Sequence, residues 1–154
     1  MPLLDGALDQ TREAIAELRA LSRGIAPPVL ADRGLAAALT DVASRAVVHV
    51  HLDVRLPVGE RLPSAVENAA YFIVAEALTN VAKHAEATTA SVTALREGTD
   101  LVVTVEDDGV GGADVAKGHG LAGLVDRARG LDGTLTVDSP VGGPTRVIGR
   151  IPCG

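Results

Sequence analysis

The first pattern along the chain is a seam of leucine and isoleucine in residues 4–25. These apolar residues recur at spacings of three, four and seven with charged residues between them, and they are Leu4, Leu8, Ile15, Leu18 and Ile25. The spacing predicts an amphipathic helix with a coiled-coil seam, which ends at Pro27-Pro28. Such a helix either packs on its own domain or is the second helix of a dimerisation hairpin, and we favour the hairpin.

The next residues switch from a helical to a strand period. Asp32 is a suitable N-cap for a helix over residues 35–47. Apolar and polar residues then alternate over residues 48–56, which predicts a half-buried strand. The polar positions of this strand include His49, His51 and Asp53. Because no fourth ligand stands beside them, a solvated strand face explains them better than a zinc site does.

A long helix, two pairs of strands and one further helix complete the pattern. Residues 57–63 turn the chain, and Ser64-Ala65-Val66-Glu67 has the form of a capping box that opens the long helix. The elements after it are strands over 90–96 and 101–107, a helix over 121–131, and a hairpin over 133–138 and 146–151. Because no regular crossovers join the strands, we expect a two-layer α/β sandwich with an extra N-terminal helix. Its sheet should be mixed, mostly antiparallel and covered on one face by helices.

Composition narrows the function classes. A net charge of −6 and only two aromatic residues, Tyr71 and Phe72, remove the basic surface and the stacking platforms of nucleic-acid binding. The single cysteine, Cys153, excludes an intrachain disulfide. The apolar runs are too short to span a membrane, and residues 1–11 lack a signal pattern. We expect a cytoplasmic domain without nucleic-acid or direct membrane contact, in a parent protein that can be membrane-anchored.

The long helix carries a polar stripe. At 3.6 residues per turn, four polar side chains fall within one arc, and they are Glu76, Asn80, Lys83 and His84. The opposite side is apolar and comprises Val74, Ala77, Leu78, Val81 and Ala85. A packed core does not need such a stripe. We therefore expect one face of the helix to pack and the other to line a pocket.

The residue types on this stripe suit a site for magnesium and phosphate. The amide oxygen of Asn80 is a neutral, hard ligand for a Mg²⁺ ion that bridges phosphates. Glu76, one turn earlier, can orient or deprotonate a nucleophile, or hold a magnesium-bound water. Lys83 and His84 lie one turn further along and can meet a phosphate tail, although a solvated helix face explains them equally well.

A second motif ends the strand over residues 101–107 and reads Glu106-Asp107-Asp108-Gly109-Val110-Gly111-Gly112. The carboxylate of Asp107 can accept a hydrogen bond from the exocyclic amine of adenine and would repel the carbonyl of guanine. This selects ATP over GTP. Gly109 and Gly111 let the backbone approach the base. An ordinary acidic turn would explain the two aspartates and Gly109, but not the glycines beyond them.

The third motif is Gly118-His119-Gly120-Leu121-Ala122-Gly123, which also fits the dinucleotide pattern GxGxxG. A dinucleotide fold needs an apolar strand directly before the first glycine, and residues 112–117 are too polar for one. The same residues suit an ATP lid, because backbone amides at the start of a helix bind phosphates and the glycines let the loop close. His119 can assist there.

The three motifs, in this order, resemble the N box and the two glycine boxes of the ATPase superfamily that joins gyrase, heat-shock chaperone, histidine kinase and mismatch-repair proteins. The resemblance spans residues 34–152. It is nearest to the catalytic and ATP-binding domain of two-component sensor histidine kinases of the nitrate-response or DesK-like subfamily. The resemblance implies the Bergerat-type ATP-binding fold, with Asn80 on the Mg²⁺ of bound ATP. Glu76 takes the place of the base that hydrolase relatives use.

Two positions depart from the family pattern. Asp108 stands where many relatives have asparagine, and its extra charge adds repulsion towards phosphates unless magnesium or Lys83 offsets it. Thr145 lies in a turn that resembles the family's last glycine-rich turn, where a threonine helps to fix a water beside adenine. Pro144, just before it, removes a backbone donor. Thr145 therefore stays a candidate for ATP binding.

The resemblance implies a histidine protein kinase domain that binds ATP and Mg²⁺ and transfers the γ-phosphoryl group to a histidine on a dimerisation domain. A response-regulator receiver domain would be the next acceptor, and the parent protein would be a homodimer. We expect residues 1–26 to be the last part of the dimerisation helix and its linker, and residues 27–154 to be the catalytic domain. The alternatives are an anti-sigma-factor-type serine kinase and a non-catalytic, ATP-gated interaction module of the same fold.

A phosphoacceptor must be an exposed histidine on a helix, and the resemblance implies that an acidic residue directly follows it. None of the four histidines has this setting. His49 and His51 fall on a strand, His84 lies in the N box and His119 stands between two glycines. We therefore expect the acceptor histidine to lie outside this chain, upstream of Met1.

Overall fold

The structure is a computed structural model, and it describes residues 26–57, 59–84, 86–112 and 121–154. These residues form four helices and five strands. The helices are α1 (Pro28–Arg33), α2 (Leu35–Ser44), α3 (Ser64–His84) and α4 (Leu121–Arg129). The strands are β1 (His49–Arg55), β2 (Thr89–Glu97), β3 (Asp100–Asp107), β4 (Thr134–Asp138) and β5 (Thr145–Pro152). The predicted helix over residues 4–25 lies outside the described residues.

The strands form one sheet in the order β1-β2-β3-β5-β4. β1 runs parallel to β2, and the other three pairs are antiparallel. α3 contacts β2, β3 and β5, while α2 contacts β1 and α4 contacts β4 and β5. All these helices lie on one face, because the residues on the other face are exposed in both edge strands, β1 and β4. The predicted two-layer sandwich with a mixed, mostly antiparallel sheet is confirmed.

The core lies between α3 and the sheet. On β3 the alternate residues Leu101, Val103 and Val105 are buried, as their period of two predicts. Above them, the apolar side of α3 is buried along its whole length. The two short N-terminal helices belong to the same core, because Leu30 of α1 and Leu39 of α2 are fully buried within it.

The N-terminal region differs from its prediction in two ways. Pro28 was predicted only as part of a helix end, whereas in the structure it is the first residue of α1. Its fixed φ angle suits the first turn of a helix. The predicted N-cap at Asp32 is wrong, because Asp32 lies inside α1. The residue before α2 is Gly34, whose φ of 92° interrupts the two helices. α2 also ends at Ser44, three residues before its predicted end.

The predicted capping box at the start of α3 is also wrong. The N–H groups of Val66 and Glu67 donate to the carbonyl of Pro63, and the Glu67 carboxylate accepts a bond from Arg61 Nη2 at 2.8 Å. Glu67 is only 3% exposed, so a buried carboxylate has its charged partner here. The same guanidinium donates to the carbonyls of Leu30, at 3.2 Å, and Ala31. We call this set of bonds the Arg61 clamp.

The clamp has a steric counterpart in Gly34. A Cβ atom placed on Gly34 would lie 3.3 Å from Arg61 Nε, and the φ angle of 92° is itself unfavourable for other residues. The end of α1 is therefore held by the Arg61 side chain, which also pairs with the first turn of α3.

None of the helices in the described residues has the length and apolar character of a membrane span.

Candidate functional site

The polar stripe of α3 emerges at one side of the core. Glu76 and Asn80 are half-buried and Lys83 is exposed, whereas the predicted packing residues Val74, Ala77, Leu78 and Val81 are buried. The separation of the two faces is as predicted. His84 is the last residue of the helix, and its side chain lies outside the described residues, as does Ala85.

Asn80 has a fully buried polar atom on this stripe. Among the described residues, its Nδ2 atom has no hydrogen-bond partner. A rotation of the Asn80 amide by 180° would place its oxygen atom at the buried position of Nδ2. A buried amide without a partner carries a desolvation cost, which a bound cation or its water would offset. The residue thus fits a magnesium ligand better than a structural asparagine.

Glu76 lies one turn before Asn80. Burial raises the pKa of its carboxyl above the usual value, and the positive charge of Lys83 lowers that pKa in part. A carboxyl group in this setting exchanges protons more readily near neutral pH than an exposed one does. Its position on the stripe is therefore suited to a proton acceptor or to a group that orients a water.

Asp107 is the last residue of β3 and is 4% exposed. Burial raises the pKa of its carboxyl. The backbone N–H groups of Gly109, at 2.7 Å, and Thr145 donate to the carboxylate and lower that pKa in part, while the charges of Asp108 and Glu106 raise it. Two neighbouring turns therefore fix this carboxylate in place at the end of the sheet.

The two turns that hold Asp107 are interlocked. They comprise residues 109–112 and 139–145, and we call them the paired glycine turns. Gly112 N–H donates to the Ser139 carbonyl at 3.0 Å, and Gly142 N–H donates to the Val110 carbonyl at 2.8 Å. A Cβ atom on Gly111 would lie 1.9 Å from the Pro140 oxygen, and one on Gly143 would lie 1.9 Å from the Gly109 oxygen.

These distances supply a second reason for one glycine of the first box. The sequence predicted that Gly109 and Gly111 let the backbone approach the base, and the structure also brings the backbone of the second turn against Gly111. The sequence signal for this contact was the pair Gly142-Gly143, which follows Gly111-Gly112 after the α4–β4 segment. Thr145 belongs to the same cluster, since its hydroxyl lies 2.6 Å from that of Ser139.

Asp108 faces away from Asp107. Its carboxylate accepts bonds from the Thr88 hydroxyl at 2.7 Å, the Thr88 N–H at 2.9 Å and the Thr89 N–H at 3.1 Å. These bonds hold the pKa of the carboxyl far below its usual value. Three donors therefore already bind the charged carboxylate of Asp108, which was predicted to repel phosphates. The sequence carried no signal for these partners.

The lid glycines Gly118 and Gly120, together with His119, lie outside the described residues. Leu121 begins α4 and is 1% exposed, so its side chain is core and only its backbone is available to a ligand. Arg127 of α4 stacks on Phe72 of α3, with its Cζ atom 4.3 Å from the ring centroid. This cation–π contact fixes α4 to α3 one turn before Glu76. Sequence reasoning missed Arg127.

Comparison with known proteins extends this picture. The family model described as "Histidine kinase-, DNA gyrase B-, and HSP90-like ATPase" matches residues 65–154, which include α3, both glycine turns and α4. The sensor histidine kinase YxjM of Bacillus subtilis is 31% identical over 136 residues, covering 87% of this chain and 34% of that protein. The sensor histidine kinase DesK of the same organism is 37% identical over 79 residues, or 49% of this chain and 21% of DesK.

Solved structures share the fold. The blue-light activated histidine kinase of Erythrobacter litoralis superposes with a TM-score of 0.61 at 24% identity, over 77% of this chain and 39% of that one. The chain spans about a third of YxjM and a fifth of DesK, the curated relatives described above. The matched domain is an ATPase domain, so ATP is the nucleotide of this site. The chain belongs to the histidine kinase-, DNA gyrase B- and HSP90-like ATPase family.

Proposed function

We propose that this chain is the ATP-binding catalytic domain of a sensor histidine kinase. It binds ATP with Mg²⁺ and donates the γ-phosphoryl group to a histidine of a dimerisation domain. The observation that carries the proposal is the buried amide of Asn80, which lacks a partner among the described residues and lies one turn from the desolvated Glu76. The names of the relatives YxjM and DesK, both sensor histidine kinases, supply the acceptor class.

Each proposed site residue has one role. Asp107 accepts the exocyclic amine of adenine, with its orientation fixed by the backbone of Gly109 and Thr145. Asn80 holds the metal through its amide oxygen, and Lys83 faces the phosphate tail. Thr145 and the backbones of Gly109 and Gly111 border the base. At the lid, Gly118, His119, Gly120 and the backbone of Leu121 close over the phosphates.

Magnesium, when bound, neutralises the charge of the phosphates. The residues of this chain do the positioning. In the transfer, a ring nitrogen of the acceptor imidazole bonds to the γ-phosphorus, and the bond from that phosphorus to the β–γ bridging oxygen breaks. ADP keeps the electron pair of the broken bond. The proton of the attacking imidazole goes to Glu76, whose raised pKa suits a proton acceptor.

The partners follow from the same proposal. Residues 27–154 are the catalytic domain, and residues 1–26 are the end of the dimerisation helix and its linker. The acceptor histidine lies on the dimerisation domain, a receiver domain of a response regulator takes the phosphoryl group next, and the parent protein is a homodimer. These assignments rest on the family and on the amphipathic seam of residues 4–25, and they place the domain in the cytoplasm.

The test is phosphoryl transfer between two separate fragments. The chain is incubated with γ-labelled ATP, Mg²⁺ and a dimerisation fragment of the parent protein, and Asn80→Ala serves as the matched inactive variant. We expect acid-labile label on the dimerisation fragment, none on this chain, and none with the variant. Acid-stable label on a serine would indicate the serine kinase alternative. ATP binding without any transfer would indicate the non-catalytic interaction module.

A further inference from the structure

Two consecutive carboxylates at the end of β3 have opposite surroundings. Asp107 is buried and receives backbone N–H groups from the paired glycine turns. Asp108 is exposed and turns to the other side of the strand, where Thr88 and Thr89 supply three donors within 3.1 Å. Asp108 therefore cannot point at the base while these bonds hold, and its role differs from that of its neighbour.

Residues 88 and 89, which bind Asp108 of β3, are also bound by β1 on their other side. Asp108 N–H donates to the Thr89 carbonyl at 3.3 Å, so the backbone of residue 108 binds Thr89 while its side chain binds both Thr88 and Thr89. On the opposite side, His49 N–H of β1 donates to the Thr88 carbonyl. Residues 88 and 89 are thus held between β1 and β3. Between them and the end of α3 stands Glu86, whose φ of 51° is unfavourable for a non-glycine residue.

The chemistry of the contact calls for an acceptor side chain of this length. The Thr88 and Thr89 N–H groups both donate to Asp108 Oδ1, and the Thr88 hydroxyl donates to Oδ2. An asparagine would keep the two N–H bonds through its Oδ1 atom and would donate its NH₂ group to the Thr88 hydroxyl oxygen, which can also accept. The bonds to an ionised acceptor are stronger than those to a neutral amide. The usual family residue would therefore make a similar but weaker contact, and alanine would make none.

We propose that Asp108 is a positioning residue for nucleotide binding, which fixes the end of α3 relative to the last residue of β3. The loop that it holds joins the turn of α3 bearing Asn80 and Lys83 to the strand beside Asp107. The metal ligand and the base reader thus keep their separation through a residue that touches neither ligand. This inference rests on the proposed function, since it assigns a use to the spacing of the two ends of the same site.

The experiment compares Asp108→Ala, Asp108→Asn and Thr88→Val with the wild-type chain. Asp108→Ala removes the acceptors of all three donors, Asp108→Asn is the conservative variant that can keep them, and Thr88→Val removes one donor. Asp53→Asn, an exposed carboxylate on β1, is the control. Calorimetry gives the dissociation constants of ATP and GTP with Mg²⁺, and urea unfolding checks the fold. We expect Asp108→Ala to weaken ATP binding about tenfold and to lower the ratio of ATP affinity to GTP affinity, and Asp108→Asn to restore most of both.

A loss of equal size for ATP and GTP, or an unchanged ATP affinity in folded Asp108→Ala, would overturn the inference. If Asp108→Ala does not fold, Thr88→Val decides: a lower ratio of ATP affinity to GTP affinity supports the positioning role, and an unchanged ratio overturns it. The control Asp53→Asn should keep both affinities. A wild-type chain that fails to bind ATP would reject the proposed function itself, which separates the two failures.

Discussion

The two ends of the proposed site are completed in different ways. At the proposed base end, the chain itself supplies the partners of Asp107, because two backbone N–H groups from interlocked turns reach its carboxylate. At the proposed phosphate end, α3 presents the buried Nδ2 atom of Asn80, which has no partner among the described residues, and a desolvated Glu76. In our proposal the base end is thus preorganised, whereas a bound nucleotide and its metal would complete the phosphate end.

The largest expected effect is at the base end. Asp107→Asn should weaken ATP binding by about 2 kcal/mol or more, the value of a buried hydrogen bond to a charged group, which is roughly thirtyfold in the dissociation constant. The fold should survive, because the amide oxygen still accepts the Gly109 N–H. Calorimetry with ATP and GTP measures this. An unchanged affinity for ATP would remove Asp107 from the site.

At the phosphate end, Asn80→Ala should abolish the magnesium dependence of ATP binding and lower the affinity about tenfold. The free energy of unfolding should change little, because the amide has no partner to lose among the described residues. Leu78→Ala, on the buried face of the same helix, should instead cost about 2–5 kcal/mol of stability. Titration with and without Mg²⁺, beside urea unfolding, separates these outcomes. An unfolded Asn80→Ala would make this residue structural.

Preorganisation of the base end can be disturbed without touching Asp107. Gly143→Ala should cost about 1–3 kcal/mol of stability, since its Cβ atom would meet the Gly109 oxygen, and ATP affinity should fall with it. Gly142→Ala is the matched control, because its φ is also positive but its Cβ atom would meet nothing within 4 Å. Thermal unfolding of both variants shows whether the contact, and not the backbone angle, is responsible. Equal losses would argue against the contact.

The smallest effect is a pair of opposite pH slopes in the ligand-free chain. Burial raises the pKa of Asp107, so the folded state favours its protonated form and loses that preference as pH rises through the folded pKa. Asp107→Asn should therefore gain stability over wild type with rising pH. The pKa of Asp108 is lowered from 3.8, so its contribution is present above 3.8 and lost as pH falls below that value. Asp108→Asn should lose stability against wild type as pH rises.

Urea unfolding at several pH values between 3 and 7 measures both slopes on the same scale. Neighbouring residues with slopes of the same sign would contradict the assignment of one to a buried and the other to a solvent-facing environment.

Local periodicity predicted most of this fold. The alternation of Leu101, Val103 and Val105, and the separation of Asn80 from Leu78 on α3, depend only on the repeat of a strand or helix. Partners distant in sequence were not predictable in the same way. Glu67 has the spacing of a capping box, yet Arg61 takes its carboxylate because that guanidinium is already held by carbonyls 30 residues earlier. Asp108 is similar, since its partners lie 19 and 20 residues before it.

The Arg61 clamp also defines how much chain a self-sufficient domain requires. The family match begins at residue 65, but a fragment cut there would lose Arg61 and leave the buried carboxylate of Glu67 without its counter-charge. The shorter fragment would also expose the apolar surface that Leu30 and Leu39 cover. A chimaeric receptor that carries this domain behind another sensor should therefore be joined before Pro27, so that the domain keeps the Arg61 clamp and both short N-terminal helices.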